Sequence, residues 1–139
     1  MLVARPDHPL VGRRRIDPAR LADEPFIQRE AGSGTRLTSE RFFKEQGITL
    51  RTRLEVGSHE AIKHTVAGGL GLAVVSASTV VSELALGELA VLDVKGFPLL
   101  RRWHVVYPQG KQLSPAAQAF RQWLFDHRPA PLQKRATND

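Results

Sequence analysis

The sequence contains no cysteine. That single absence excludes disulfide bridges, thiol nucleophiles and cysteine-based zinc or iron–sulfur centres, and it fits a reducing cytoplasm. No apolar run approaches the roughly 18 residues that suggest a membrane helix. The longest, residues 68–75, is about one strand long and rich in glycine. The opening Met1-Leu2-Val3-Ala4-Arg5-Pro6-Asp7-His8-Pro9 has no basic stretch followed by an apolar core, so it does not read as a secretion signal. Aromatic residues make up only 6% of the chain, and none alternates with arginine as a base-stacking platform would require. Internal repeats and low-complexity segments are also missing.

What is present suffices for one compact domain with a hydrophobic core: 139 residues, 42% hydrophobic and 24% charged. The formal net charge is +6, but the basic residues are dispersed. Arg13-Arg14-Arg15 lie near the start, Arg101-Arg102 in the middle and Lys134-Arg135 in the tail. With no basic stripe on any helix, direct nucleic-acid binding by this chain is not expected.

Punctuation and periodicity divide the chain into alternating elements. Leu2-Val3-Ala4 reads as a strand stopped by Pro6, and Asp17-Pro18 opens a short helix. Pro25-Phe26-Ile27-Gln28 is a strand, and Gly32-Ser33-Gly34-Thr35 turns into a helix running to about Gln46, with Gly47 as its C-terminal cap. Leu50, Leu54 and Val56 mark a strand with near period two. Ser58 caps a second helix with Glu60 in its first turn and Ile62, Thr65, Val66 and Gly69 at helical spacing, ended by Gly68-Gly69. Residues 70–75 then read as a strand buried on both faces.

Ser76 or Ser78 is expected to cap a further helix, with Val80, Val81, Leu84 and Ala85 inward and Gly87 at its end. Residues 89–94 form a strand, Gly96-Phe97-Pro98 turns the chain, and residues 100–107 alternate with Trp103, Val105 and Tyr107 on one face. Ser114-Pro115 opens the last helix, striped with Ala116, Phe120, Trp123 and Leu124. Trp103, Phe120 and Trp123 are expected in the core, and the tail after His127 is expected to be disordered. This order predicts an α/β fold: a mostly parallel sheet with helices on both faces.

The stretch with most chemical potential is Glu30-Ala31-Gly32-Ser33-Gly34-Thr35-Arg36. Its glycines permit close backbone approach, Ser33 and Thr35 offer hydroxyls, and the helix beyond aims free N–H groups outward. Arg36 adds positive charge, so the set suits a carboxylate or phosphate oxygen. The plainer alternative is that Ser33 or Thr35 merely caps the helix. Gly57-Ser58-His59-Glu60 is a second strand-to-helix junction of the same character. In an open α/β sheet, ligands bind beyond the carboxyl ends of the strands. The candidate ligand-binding set is therefore Ser33, Gly34, Thr35, Arg36, Ser58 and His59.

Neither a Walker loop nor a nucleophile elbow fits these spacings. His59 and His64 are five apart and do not share a helix face, so no metal site is expected. No acid, base and nucleophile assemble, so an enzyme is not expected.

Three further stretches carry a resemblance. Ala4-Arg5-Pro6-Asp7-His8-Pro9-Leu10, Glu24-Pro25-Phe26-Ile27 and Gly69-Leu70-Gly71-Leu72-Ala73-Val74-Val75 resemble, in order, segments of LysR-type transcription regulators. Within that family the chain is similar to regulators of carbon dioxide fixation operons. This rests on residues 29–36, Gly57-Ser58-His59-Glu60-Ala61-Ile62-Lys63, and Leu89-Ala90-Val91-Leu92-Asp93-Val94-Lys95-Gly96-Phe97-Pro98. The sequence departs from that pattern at Ala31, where proline is expected, and at His59, where asparagine is expected.

The resemblance implies a sensor with a type 2 periplasmic-binding-protein-like fold, in which a small anionic metabolite (a sugar phosphate, carboxylate or nucleotide) sits between two lobes. Residues 1–10 would be the hinge strand and turn, and 11–96 the second regulatory lobe. Residues 97–128 would form the return crossover strand and a C-terminal helix packing on the first lobe, with 129–139 a disordered tail.

It further implies a cytoplasmic protein that uses no cofactor, a homo-oligomeric full-length parent, no membrane contact, and DNA contact only through a helix-turn-helix that this chain lacks. Met1 would then fall within the sensor domain, and Trp123 and Leu124 would lack their partner surface, so self-association is expected. The rival reading is a transport-type solute-binding protein of the same fold.

Overall fold

A computed structural model describes residues 1–127 of the chain. Contacts divide it into two units, the first Met1–Leu100 and the second beginning at Arg101.

In the first unit the strands are β1 (Leu2–Ala4), β2 (Pro25–Arg29), β3 (Arg51–Val56), β4 (Ala73–Val74) and β5 (Ala90–Leu92). β2 and β3 pair in parallel, whereas β1 pairs antiparallel with both β4 and β5. The two ladders join through a parallel bridge between Phe26 and Leu72, where Leu72 N–H donates to Pro25 O at 2.8 Å and Ile27 N–H to Leu72 O at 2.8 Å. The spatial order is thus β3-β2-β4-β1-β5. β2 to β5 run one way and β1 runs against them. The predicted mostly parallel sheet is present, with one interior strand reversed.

Alternation along the strands sends side chains to opposite faces. Leu2, Ala4, Phe26, Leu72 and Leu92 join a core on one face with Phe43 of α1 (Gly34–Glu45). Val3, Ile27 and Ala73 join a core on the other face with Ile62 and Val66 of α2 (His59–Ala67). Phe43 meets Phe26 edge to face at 5.5 Å between ring centroids, an arrangement that aromatic quadrupoles favour. Gly71 lets this packing close, because a Cβ there would run into the Pro25 carbonyl oxygen.

The caps explain the helix limits. Asp17 accepts from Ala19 N–H at 3.0 Å and opens a single 3-10 turn, Pro18–Leu21. Gly47, with φ +70°, adopts the left-handed conformation after α1 that glycine tolerates best.

Several expectations require correction. Only Ala73–Val74 of residues 70–75 enters a ladder, although Leu72, Ala73 and Val75 are buried as expected. β3 lies at the sheet edge, which leaves Leu54 40% exposed. Neither Ser76 nor Ser78 caps the next helix: a 3-10 turn, Ala77–Thr79, intervenes, and α3 (Val81–Ala85) starts after Val80. Val80 is buried, but Val81 is 63% exposed and Ala85 is exposed too.

In the second unit, the described residues contain one element, α4 (Pro115–Asp126), capped by Ser114, which accepts from Ala117 N–H at 3.3 Å. Residues 100–107 form no strand. Alternation supplies two faces, but a strand also needs a neighbour to accept its backbone hydrogen bonds, and none pairs with these residues. Trp103, Phe120 and Trp123 are 89%, 60% and 53% exposed rather than core residues. The expected tail, 129–139, lies outside the described residues.

Candidate functional site

The site grows from two strand-to-helix junctions. β2 and β3 are adjacent and parallel, with Arg29 opposite Val56 in the register, so the chain leaves both strands at the same edge. After β2, Ser33 N–H donates to Glu30 O at 3.1 Å and Gly32 takes φ +86°. This tight turn puts α1 directly beyond the strand end. After β3, Gly57-Ser58 does the same for α2.

The two openings use their serines differently. Ser58 Oγ accepts from Ala61 N–H at 3.1 Å and so caps α2. Ser33 occupies the N-cap position of α1 with extended backbone, yet its side chain makes no capping hydrogen bond. The plain capping alternative therefore describes Ser58 and not Ser33. At α1, the N–H groups of Gly34, Thr35 and Arg36 belong to the first turn, which has no intrahelical acceptor. Thr35 is half-buried beside them.

Charge is concentrated between the openings. Arg29, the last residue of β2, clasps Glu30 with two hydrogen bonds, Nε to Oε2 at 2.6 Å and Nη2 to Oε1 at 2.7 Å. Its Nη1 lies 3.0 Å from Nε2 of His59 at the start of α2. The Arg29 guanidinium holds the Glu30 carboxyl below the usual carboxylate range, with backbone hydrogen bonding and the nearby His59 adding to the effect. Arg36 donates to Glu40 at 2.7 Å and to the Arg29 carbonyl at 3.1 Å, and also pairs with Glu55 of β3. Those carboxylates, Glu40 first and then Glu55, push the Arg36 guanidinium further toward its charged form.

The structure thus places Ser33, Gly34, Thr35 and Arg36 at one opening and Ser58 and His59 at the next, with Arg29 between them. Arg36 is less free than its sequence position suggests, and an arriving anion would have to share it with two carboxylates. The candidate set omitted Arg29. Strand alternation is the signal that could have found it: Ile27 faces α2, so Arg29, two residues on, does too. A small pocket, with room for about one water molecule, adjoins the α1 opening, with Gln28, Thr35, Arg36 and Ser39 in its lining. Among the described residues no cluster of His, Asp and Glu could hold a metal ion, and no helix is long and apolar enough to cross a membrane.

A doubly covered α/β sheet with paired helix openings on one edge is an architecture of the periplasmic-binding-protein-like class. Comparison with known proteins places it more closely. The model of the LysR substrate binding domain matches residues 1–129, and the chain belongs to that family.

It is 58% identical over 125 residues to the RuBisCO operon transcriptional regulator of Acidithiobacillus ferrooxidans, covering 90% of this chain and 40% of that protein. To the regulator of the same description from Allochromatium vinosum it is 52% identical, covering 90% and 41%. Among solved structures, the Synechocystis PCC6803 CcmR regulatory domain in complex with 2-PG aligns with TM-score 0.84 and 48% identity, over 93% of this chain and 64% of that one. The chain therefore spans about 40% of the length of these curated relatives.

Proposed function

We propose that this chain is the effector-sensing part of a LysR-type regulator of carbon-fixation genes, and that it holds a small anionic metabolite rather than transforming one. The observation that carries the reading is the pair of helix openings on one sheet edge with the Arg29 guanidinium between them. Unsatisfied N–H groups at a helix start and a fixed cation together favour a carboxylate or phosphate oxygen. Ser33, Gly34, Thr35, Ser58 and His59 would line the anion's seat, with Arg29 and a shared Arg36 supplying charge. Similarity to a regulatory domain solved with 2-PG supports a small acid as the ligand, and the relatives are named as regulators rather than transport proteins.

On this reading residues 11–96 form one lobe of a two-lobed sensor. Residues 1–10 serve the hinge, and 97–128 reach toward the other lobe. Ligand binding would shift the relative population of lobe arrangements in a cytoplasmic homo-oligomer. DNA contact would belong to a helix-turn-helix outside this chain.

NMR titration of the chain with 2-PG, sugar phosphates and simple carboxylates tests the seat directly. The backbone amides of Ser33, Gly34, Thr35, Ser58 and His59 should shift, and Arg29→Met should weaken binding about 10-fold, as loss of a charge-assisted contact does. Amides that stay still at millimolar concentrations of every anion tried would rule the reading out.

A further inference from the structure

Gln28 presents a hydrogen-bonding problem that the anion seat does not by itself solve. It is only 7% exposed. Alternation along β2 puts it on the α1 face, beside Phe26, while Ile27 and Arg29 face α2. Its Nε2 donates to Thr52 Oγ1 at 2.7 Å, tying β2 to β3. Its Oε1 is buried and accepts no hydrogen bond. Roughly nine in ten buried polar groups in folded proteins are paired, so such an atom calls for a donor.

The neighbours do not supply one. The Ser39 hydroxyl donates to the Arg36 carbonyl at 2.9 Å, and Arg36 directs its Nε to Glu40 and its Nη1 to Glu55 and the Arg29 carbonyl. Gln28 lines the pocket at the α1 opening together with Thr35, Arg36 and Arg29, and the pocket leaves room there for one water-sized group. Two guanidiniums nearby disfavour an ammonium donor, whereas a neutral O–H fits both the charge and the space.

We infer that Gln28 is a specificity-determining acceptor: the anion held at the α1 opening carries a hydroxyl beside its charged group, and that hydroxyl donates to Gln28 Oε1. This rests on the anion seat proposed above and narrows its ligand to hydroxylated acids or phosphate esters. A site that offers a buried acceptor to a ligand hydroxyl discriminates against the analogue lacking it, because the acceptor is then left unpaired.

A matched pair of probes tests the inference on the intact chain: glycerol 3-phosphate and propyl phosphate, titrated under NMR observation. Glycerol 3-phosphate should bind about 10-fold more tightly, the worth of one good hydrogen bond, and should move the Gln28 side-chain amide signals. Propyl phosphate should move the α1 backbone amides without them. Gln28→Leu should bring the ratio to about one by weakening only the hydroxylated probe. Thr52→Val, which removes the other partner of the same amide, should keep the ratio.

Equal affinities in the unaltered chain, with Gln28 signals unmoved, would overturn the hydroxyl assignment while leaving the anion seat standing. Binding of neither phosphate would overturn the hydroxyl assignment, and the anion seat would fall with it only if 2-PG and the carboxylates also left the amides unmoved. The Gln28 signals report on the unaltered protein, so the result stands even if Gln28→Leu fails to fold.

Discussion

The first hundred residues and the segment after them use apolar side chains in opposite ways. In the first unit, Leu2, Val3, Leu21, Phe26, Phe43, Leu72 and Val80 are each at most 1% exposed, divided between two cores on the faces of one sheet. In the second, α4 has no buried residue, and its aromatic side chains contact mainly each other: Phe120 stacks with Trp123 at 6.3 Å and Trp123 with His127 at 4.6 Å. Both helices that open with a serine cap, α2 and α4, are amphipathic, and only α2 covers its apolar stripe. An apolar stripe thus specifies a surface to be covered, not the surface that covers it. Isolated exposed apolar residues are ordinary, but Trp103, Val106, Phe120, Trp123 and Phe125 are all exposed within one short unit.

Six substitutions probe that contrast, in falling order of effect. Phe43→Ala empties the centre of the α1-side core and should cost about 3–5 kcal/mol, read as a large fall in the denaturant midpoint. Little loss would show that the first unit is looser than its burial implies. Gly71→Ala drives a methyl group into the Pro25 carbonyl that bridges the two ladders and should cost about 1–3 kcal/mol by overpacking. Ser58→Ala should cost about 1 kcal/mol through loss of the α2 cap, while Ser33→Ala, which removes no capping bond, should change the melting temperature far less. Equal losses would mean that the two openings are equivalent after all.

A smaller effect concerns pH. Lys63 bridges Glu60 and Glu83 at 2.8 and 2.7 Å, and its hydrogen bond holds the Glu83 carboxyl below its usual range. A carboxylate whose folded-state pKa is depressed adds stability above its unfolded value, near pH 4, and loses it as pH falls through the lower folded value. Melting curves of the parent and Glu83→Gln should therefore differ at neutral pH and converge in acid; a gap that widens in acid would refute the assignment. The smallest effect is expected at Trp123→Ser, within about 0.5 kcal/mol for a surface change. The same change should reduce self-association in sedimentation experiments, and a parent chain that stays monomeric would contradict the reading of α4 as an uncovered surface.

Local chemistry made much of this molecule legible. Asp17-Pro18, Ser58 and Ser114-Pro115 announced helix starts because capping is decided within four residues. Gly47 announced a helix end because its left-handed backbone favours glycine. Both strand-to-helix junctions were readable for the same reason. What escaped the reading depends on partners far along the chain. Nothing in Leu2-Val3-Ala4 says that it runs antiparallel between residues 73–74 and 90–92. The alternation of residues 100–107 resembles a strand and lacks a neighbour. Arg36 looked available because Glu55, which helps to hold it, lies 19 residues away. Arg29 was missed as a site residue because its meeting with His59 spans 30.

The reversed interior strand has a consequence for how the chain becomes itself. Leu2, Val3 and Ala4 are made before the strands that flank them, yet they are among the most enclosed residues of the sheet, and the backbone partners that enclose them follow some 70 to 90 residues later. On the ribosome these residues emerge and wait without partners while β2, β3 and both long helices of the first unit leave the tunnel. Closing the sheet is then a late insertion between two strands, and the long loops it completes make it slow relative to local helix formation. Until Leu92 is free to pair, the nascent chain exposes the unfilled centre of its sheet, and that interval is when chaperone capture or aggregation would be decided.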